Sequence, residues 1–382
     1  VGSIIILLVG MGNPSLGLSS AWDGIRLVFG GLFSTGRSAA GTLTFGFNPT
    51  NIGNMLFRAT PLIMSGLSVA VAFKTGLFNI GAPGQYLMST AATLYVALTI
   101  PSESVPTVLI WILAFLSGML AGALWGAIPG IFKAYLNINE VITSIMFNWI
   151  GLYLVNEIIY GRGSGVMYDA HNTRTWKLAT NAPQAQIPSC GMSELFHTST
   201  TTIAIFLAII VAIVVWVVLE KTTFGYELKA VGLNKNAARY AGINEKKNVI
   251  LSMTIAGALA GFGAGLFYLS GGGEWNPLNS TSLPAMGFNG IATALLANSN
   301  PIGTIFSSLF ISHISVGGAY LPTKYFPSEI ADLISGIIIY LCAFSMLFRT
   351  LFEKKLIQKK DTANANAEPA AKAVTKPEKE GK

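Results

Sequence analysis

Apolar residues in this chain come in runs of about twenty, the length an α-helix needs to cross a bilayer core, and polar stretches separate the runs. Ten such runs are legible, at residues 1–10, 54–73, 78–99, 107–132, 141–160, 200–219, 249–270, 285–298, 302–320 and 330–349. The first begins at Val1 without an initiator Met and reads as the remainder of a longer span. The eighth is short and Gly-rich, which predicts a broken segment and not an uninterrupted crossing. The pattern therefore predicts an all-α fold: a polytopic transmembrane helical bundle over residues 1–350, with about ten spans. Residues 351–382 are rich in Lys, Ala, Glu and Asn and nearly devoid of large apolar side chains. Such a segment cannot bury enough surface to fold alone, so a disordered tail is expected, its basic start suited to anionic lipid.

Composition excludes a soluble globular protein. Of 382 residues 52% are hydrophobic and 11% charged, against about 25% charged in an ordinary soluble domain. The formal charge of +7 is not a nucleic-acid signature, because the charges lie between apolar runs instead of clustering on one surface. Their placement sets orientation instead. With both termini cytoplasmic, 17 of the 24 Lys and Arg fall inside, among them Lys74, Lys133, Lys221, Lys229, Lys235, Arg239, Lys246, Lys247 and Arg349, as positive-inside topology demands. Two long polar stretches, 11–53 and 161–199, then lie outside, and loops of that size are functional or packed. Cys190 and Cys342 supply no disulfide framework.

The span interiors are almost free of ionisable groups. Glu140 and Glu157 sit near the ends of the fifth run, and His313 lies alone in the ninth, where a satisfied core histidine is the expectation. A proton- or sodium-coupled carrier would place carboxylates or a comparable site at mid-bundle, so the ion-coupled secondary carrier is the disfavoured alternative. Neutral polar residues do occur there: Asn79, Gln85, Asn148, Asn289 and Thr293. In lipid each must bond to another helix or line a cavity. Both readings stand for each residue, and a lining of this kind suits a neutral, hydrogen-bonding solute. Asn79 with Gln85 and Asn289 with Thr293 fall in two segments that echo each other, GLFNIGAPGQYLMSTAATL at 76–94 and PAMGFNGIATALLANSNPIG at 284–303. Gly/Pro-interrupted segments at matching places in two halves point to a midplane solute site.

The chain carries no phosphate-binding glycine loop, no metal-ligand spacing and no nucleophile context, so it is read as no enzyme and as binding no cofactor of its own. Between the sixth and seventh runs lies EKTTFGYELKAVGLNKNAARYAGINEKKN, residues 220–248. Asn234 is a plausible N-cap and Gly242 a plausible C-cap of a short helix, small Ala237, Ala238 and Ala241 permitting close approach.

That cytoplasmic stretch, TTFGYELKAVGLNKNAARYAGI, resembles the coupling motif of ABC-importer permeases of the ribose and branched-chain amino acid type. GLFNIGAPGQYLM at 76–88, NINEVITSIMFNWI at 137–150 and PAMGFNGIATALLANSNPIG at 284–303 are similar to further motifs of that family, and the resemblance covers residues 50–350 in order. Its FNIGAPGQ and GFNGIA forms look most like the simple-sugar and nucleoside permeases, especially nucleoside importers of Gram-positive bacteria. The resemblance implies a subunit of an ATP-driven importer in the bacterial plasma membrane that translocates nucleosides. A simple sugar or a branched-chain amino acid is the alternative solute. It further implies a separate ABC ATPase that uses the ATP, a second permease chain in a heterodimer, and an extracellular substrate-binding lipoprotein. The ATPase contact would fall on Asn234, Lys235, Asn236, Ala237, Arg239, Tyr240 and Gly242, and the solute path on Asn79, Gln85, Asn148, Asn289 and Thr293.

Overall fold

The computed structural model describes residues 18–38, 42–101, 105–162, 165–277 and 281–321, with isolated positions within 3–7 and 333–344. The tail and most of the runs at 1–10 and 330–349 lie outside the described residues. The chain is mostly helical. Helix α1 (Leu18–Gly30) leads to an antiparallel hairpin of β1 (Ser34–Arg37) and β2 (Leu43–Phe45). Then come α2 (Pro49–Lys74), α3 (Ala82–Thr99), α4 (Thr107–Leu136) and α5 (Glu140–Glu157), which a wider turn continues through Ile158–Arg162. A second small hairpin, β3 (Tyr168–Asp169) and β4 (Arg174–Thr175), and two short helices, α6 (Leu178–Asn181) and α7 (Met192–Phe196), precede α8 (Ala204–Lys221). The remainder is α9 (Thr223–Leu233), α10 (Lys235–Tyr240), α11 (Glu245–Leu269), α12 (Ala285–Leu296) and α13 (Pro301–Gly318).

Among the described residues, six helices are long and apolar enough to cross a membrane: α2, α4, α5 with its extension, α8, α11 and α13. One of the sequence runs differs from expectation, and a short one is as expected. The run at 78–99 predicts one helix, yet α3 begins only at Ala82, because Gly81 serves as its N-cap and Pro83, with no N–H to donate, fits the first turn. It is also too polar to stand among the six, since Gln85, Ser89, Thr90 and Thr93 lie buried along it. The run at 285–298 is α12, a helix of 12 residues, short as its glycines predict.

The bundle is closed by backbone contact. Gly118, Gly122, Gly126 and Gly130 recur every fourth residue on α4; Gly122 and Gly126 face Gly257 and Gly261 of α11, and Gly130 faces Ile250 and Met253 of the same helix. A Cβ on Gly257 would stand 2.1 Å from the Gly122 carbonyl oxygen, and one on Gly261 would stand 2.6 Å from the Gly118 carbonyl. Small residues at this spacing let membrane helices pack without the hydrophobic effect that drives helices together in water. Gly257→Val should therefore force α4 and α11 apart and abolish recovery of folded protein in detergent, whereas Gly165→Ala, at a position with nothing within 4 Å, should leave yield and melting temperature unchanged. Leu109, Leu113, Leu120 and Leu124 of α4 and Ile142, Met146, Trp149 and Tyr153 of α5 are exposed, the inverse of a water-soluble surface and the arrangement expected where lipid or another membrane chain is the surroundings.

Basic residues gather at one end. Lys133 pairs with Glu140 at 2.8 Å across the α4–α5 turn, Lys246 lies 5.0 Å from the Tyr135 ring centroid, and α9 abuts the turn after Lys74, where a Cβ on Gly232 would meet the Lys74 carbonyl at 2.5 Å. At the opposite end the 161–199 stretch is packed down. Thr175 and Trp275 exchange hydrogen bonds (2.8 and 2.9 Å), the Ile187 N–H donates to the Leu269 carbonyl (2.9 Å), and Arg174 pairs with Glu274 at 3.1 Å.

Candidate functional sites

Three of the five polar residues proposed from sequence for the solute path converge on the start of α3. Asn79 and Gln85 form a reciprocal carboxamide pair: Asn79 Nδ2 donates to Gln85 Oε1 (2.9 Å) and Gln85 Nε2 to Asn79 Oδ1 (3.1 Å). Asn79 also donates to Ser68 Oγ on α2 (3.0 Å), and its Oδ1 accepts from the Gly81 N–H (3.2 Å). From α5, Asn148 Oδ1 accepts from the Gly84 N–H (2.8 Å) while its Nδ2 donates to the Ile80 carbonyl (2.9 Å). A helix start leaves N–H groups without partners, and here that start is buried, so the side chains of two neighbouring elements supply them. All three residues are at most 2% exposed.

The two echoing segments meet. A Cβ on Gly287 of α12 would fall 2.5 Å from the backbone nitrogen of Pro83, so the first turns of α3 and α12 touch backbone to backbone. Thr293 is buried, donates to the Gly290 carbonyl (2.8 Å) and faces Gly66 of α2. Asn289 is half-buried on the same helix. His313, only half-buried, is held by the Phe29 carbonyl at 2.8 Å, so its ring is satisfied as expected although it does not sit in the core.

At the basic end, α10 forms between the predicted caps. Asn234 Oδ1 accepts from the Ala237 N–H (3.1 Å), and Gly242, at φ +81°, takes the left-handed conformation that follows a helix end. It has six residues, short as expected. Ala238 is buried in a cluster with Ala72, Leu77, Val231, Val249 and Met253, while Lys235, Asn236, Ala237, Arg239 and Tyr240 point outward. Tyr240 is 95% and the neighbouring Leu233 88% exposed.

At the opposite end a cavity of about 400 Å³ opens between α2, α11, α12 and α13, lined among others by Asn54, Phe57, Arg58, Phe267, Met286 and Tyr320. Phe57 and Phe267 stack with ring centroids 5.3 Å apart. Among the described residues no group of His, Cys, Asp and Glu is placed to hold a metal ion.

The family model described as the branched-chain amino acid transport system / permease component matches residues 51–343. The chain belongs to this permease family. The permease is similar to the nucleoside ABC transporter permease protein NupB of Lactococcus lactis, 36% identical over 91% of this chain and 97% of that one. It is also similar to the guanosine ABC transporter permease protein NupP of Bacillus subtilis, 34% identical over 92% of each chain, and to the glucose ABC transporter permease protein TsgB13 of Haloferax volcanii, 32% identical over 81% of this chain and 79% of that one. No solved structure matches it. The permease is a membrane transport component and not an enzyme.

Two features of the permease escaped the sequence reading. Leu233 stood one residue outside the recognised helix, although a large apolar residue beside an N-cap in a water-facing loop is itself a signal. Arg58 was counted with the outer charges and passed over, although it falls near the outer end of the second apolar run and lines the cavity there.

Proposed function

We propose that this permease is the membrane subunit of an ATP-driven importer that carries nucleosides across the bacterial plasma membrane. The observation that carries the reading is likeness over more than nine-tenths of the chain to two permeases named for nucleoside and guanosine transport. The same reading takes the fold as about ten spans with both termini cytoplasmic, since the basic end, with Lys74, Lys133 and α9–α10, suits the inner face. A separate ABC ATPase binds and hydrolyses the ATP and docks on Asn234, Lys235, Asn236, Ala237, Arg239, Tyr240 and Gly242. A second permease chain packs against part of the exposed apolar surface, and an extracellular lipoprotein delivers the solute to the opposite end.

The packing suggests how a push on α10 reaches the membrane interior. Ala238 shares its cluster with Leu77, Leu77 leads two residues on to Asn79, and Asn79 with Asn148 holds the start of α3. Movement of α10 would thus load the α2–α3 connection, and rocking of α3 against α12 at the Pro83–Gly287 contact would alternate access. In this scheme Asn79, Gln85 and Asn148 serve the path by holding α3 in place, and Asn289 and Thr293 by shaping its α12 side.

The test is uptake of radiolabelled guanosine, adenosine, glucose and leucine into cells with and without the gene, a parallel set being depleted of ATP. Nucleoside uptake is expected to vanish with the gene and with ATP. A simple sugar is the second reading, favoured by the Haloferax relative, and uptake of glucose alone would establish it. Uptake that survives ATP depletion and collapses with the ion gradient would overturn the mechanism.

A further inference from the structure

We infer that the outer cavity is a base-recognition site that prefers 6-oxopurine nucleosides, with Arg58 reading the purine edge and the Phe57–Phe267 pair receiving its face. The inference rests on the nucleoside reading and narrows it to a solute subclass. Its volume of about 400 Å³ lies within the roughly 300–1,000 Å³ typical of small-molecule sites. One wall is aromatic, the two rings being stacked at 5.3 Å with planes 25° apart, which suits the flat face of a base.

The polar groups decide which base. Tyr320 and Asn51 are bonded to each other, and Asn51 also donates to the Gly31 carbonyl, so neither is free to discriminate. Asn54 and Arg58, four residues apart on α2, both line the cavity. Arg58 is exposed near the outer end of α2, close to the start of the apolar run at 54–73, and its guanidinium reaches the cavity there. Among the described residues no carboxylate pairs with it, and the partner of its guanidinium there is Ser315 Oγ, 3.3 Å from Nη1. A guanidinium has five N–H donors in a planar fork, so most of them remain for a solute.

The fork matches two adjacent acceptors. Guanine and hypoxanthine present O6 and N7 side by side, whereas adenine replaces O6 with an amino donor that faces the guanidinium unfavourably.

The experiment is binding of radiolabelled guanosine to the purified permease–ATPase complex in nanodiscs without the lipoprotein, so that the permease alone sets selectivity. Unlabelled inosine, adenosine and glucose serve as competitors. Guanosine and inosine should compete about tenfold or more better than adenosine, in line with the discrimination of a bidentate pair. Arg58→Gln should reduce that ratio about tenfold, to near parity, without lowering the melting temperature of the complex. Ser315→Ala, which frees Arg58 without removing it, should preserve the preference; its loss in both variants would make Arg58 a tie between α2 and α13 and overturn the inference. Equal competition by adenosine, or no guanosine binding at all, would also overturn it, while ATP-dependent nucleoside uptake by cells would leave the nucleoside reading standing.

Discussion

Asn148→Leu is expected to destroy the folded permease rather than merely slow it. Its carboxamide alone satisfies the Gly84 N–H and takes up the Ile80 carbonyl, both at the buried start of α3. Leucine has a similar volume and leaves both backbone groups without their partner. An unsatisfied buried polar group costs about 1–3 kcal/mol, and two of them come to about 2–6 kcal/mol, although hydrogen bonds in membrane bundles often measure below 2 kcal/mol each. Even the low end is a large fraction of a typical stability of about 5–15 kcal/mol. The check is thermal unfolding in detergent, with Trp149→Leu as the neighbour control: Trp149 is exposed on the outer face of the same helix, and its loss should leave melting unchanged. A variant that melted normally while its KM for solute rose would show Asn148 to be a lining residue and the hydrogen bonds at α3 to be dispensable.

That prediction marks how far the sequence could be read. Apolar runs located α2, α4, α5, α8, α11, α12 and α13 within a few residues, because hydrocarbon solvent permits only internally bonded backbone and so makes helix length visible in composition. The start of α3 was misplaced because Leu77, Phe78 and Ile80 are as apolar as a helix face, and hydropathy does not register that residues 77–81 are not helical. The choice between glue and lining for Asn79, Gln85 and Asn148 was open for a related reason. A carboxamide in lipid needs a partner, but beyond the Asn79–Gln85 pair and Ser68 the partners here are Gly81, Gly84 and Ile80 backbone groups, which carry no mark in the sequence. The N-cap at Asn234 and the left-handed glycine at Gly242 were legible because capping is local chemistry, decided within four residues. Arg58 was visible and undervalued: counting charges by side of the membrane hid the one that lines the outer cavity.

Arg239→Glu should uncouple the permease from its ATPase while leaving the permease intact. Helix α10 has six residues, too few to be stable in water alone, and it is kept by the Asn234 cap, the turn at Gly242 and the burial of Ala238. None of these depends on the outward side chains. Lys235 and Arg239, four residues apart, are both exposed and present two positive charges to whatever docks there, so in the proposed docking reversing one would set a carboxylate against acidic groups of the ATPase. Like charges set against each other across an interface cost several kcal/mol, and a loss of about 2–3 kcal/mol corresponds to a 30- to 150-fold weaker complex. Co-purification of the ATPase and ATP-driven uptake should both fall by at least tenfold, with the melting temperature of the permease unchanged. Tyr240→Ala and Leu233→Ala should weaken the complex without its salt dependence changing, since their exposed side chains offer apolar contact and no charge. Asn234→Ala should act differently again, through loss of a cap valued at about 1 kcal/mol, lowering uptake partially and in proportion to the fraying of α10 seen by hydrogen exchange. Unchanged ATPase retention and uptake in Arg239→Glu together with Tyr240→Ala would move the docking surface off α10 altogether, and the chain of contacts from Ala238 through Leu77 to Asn79 would then have no input.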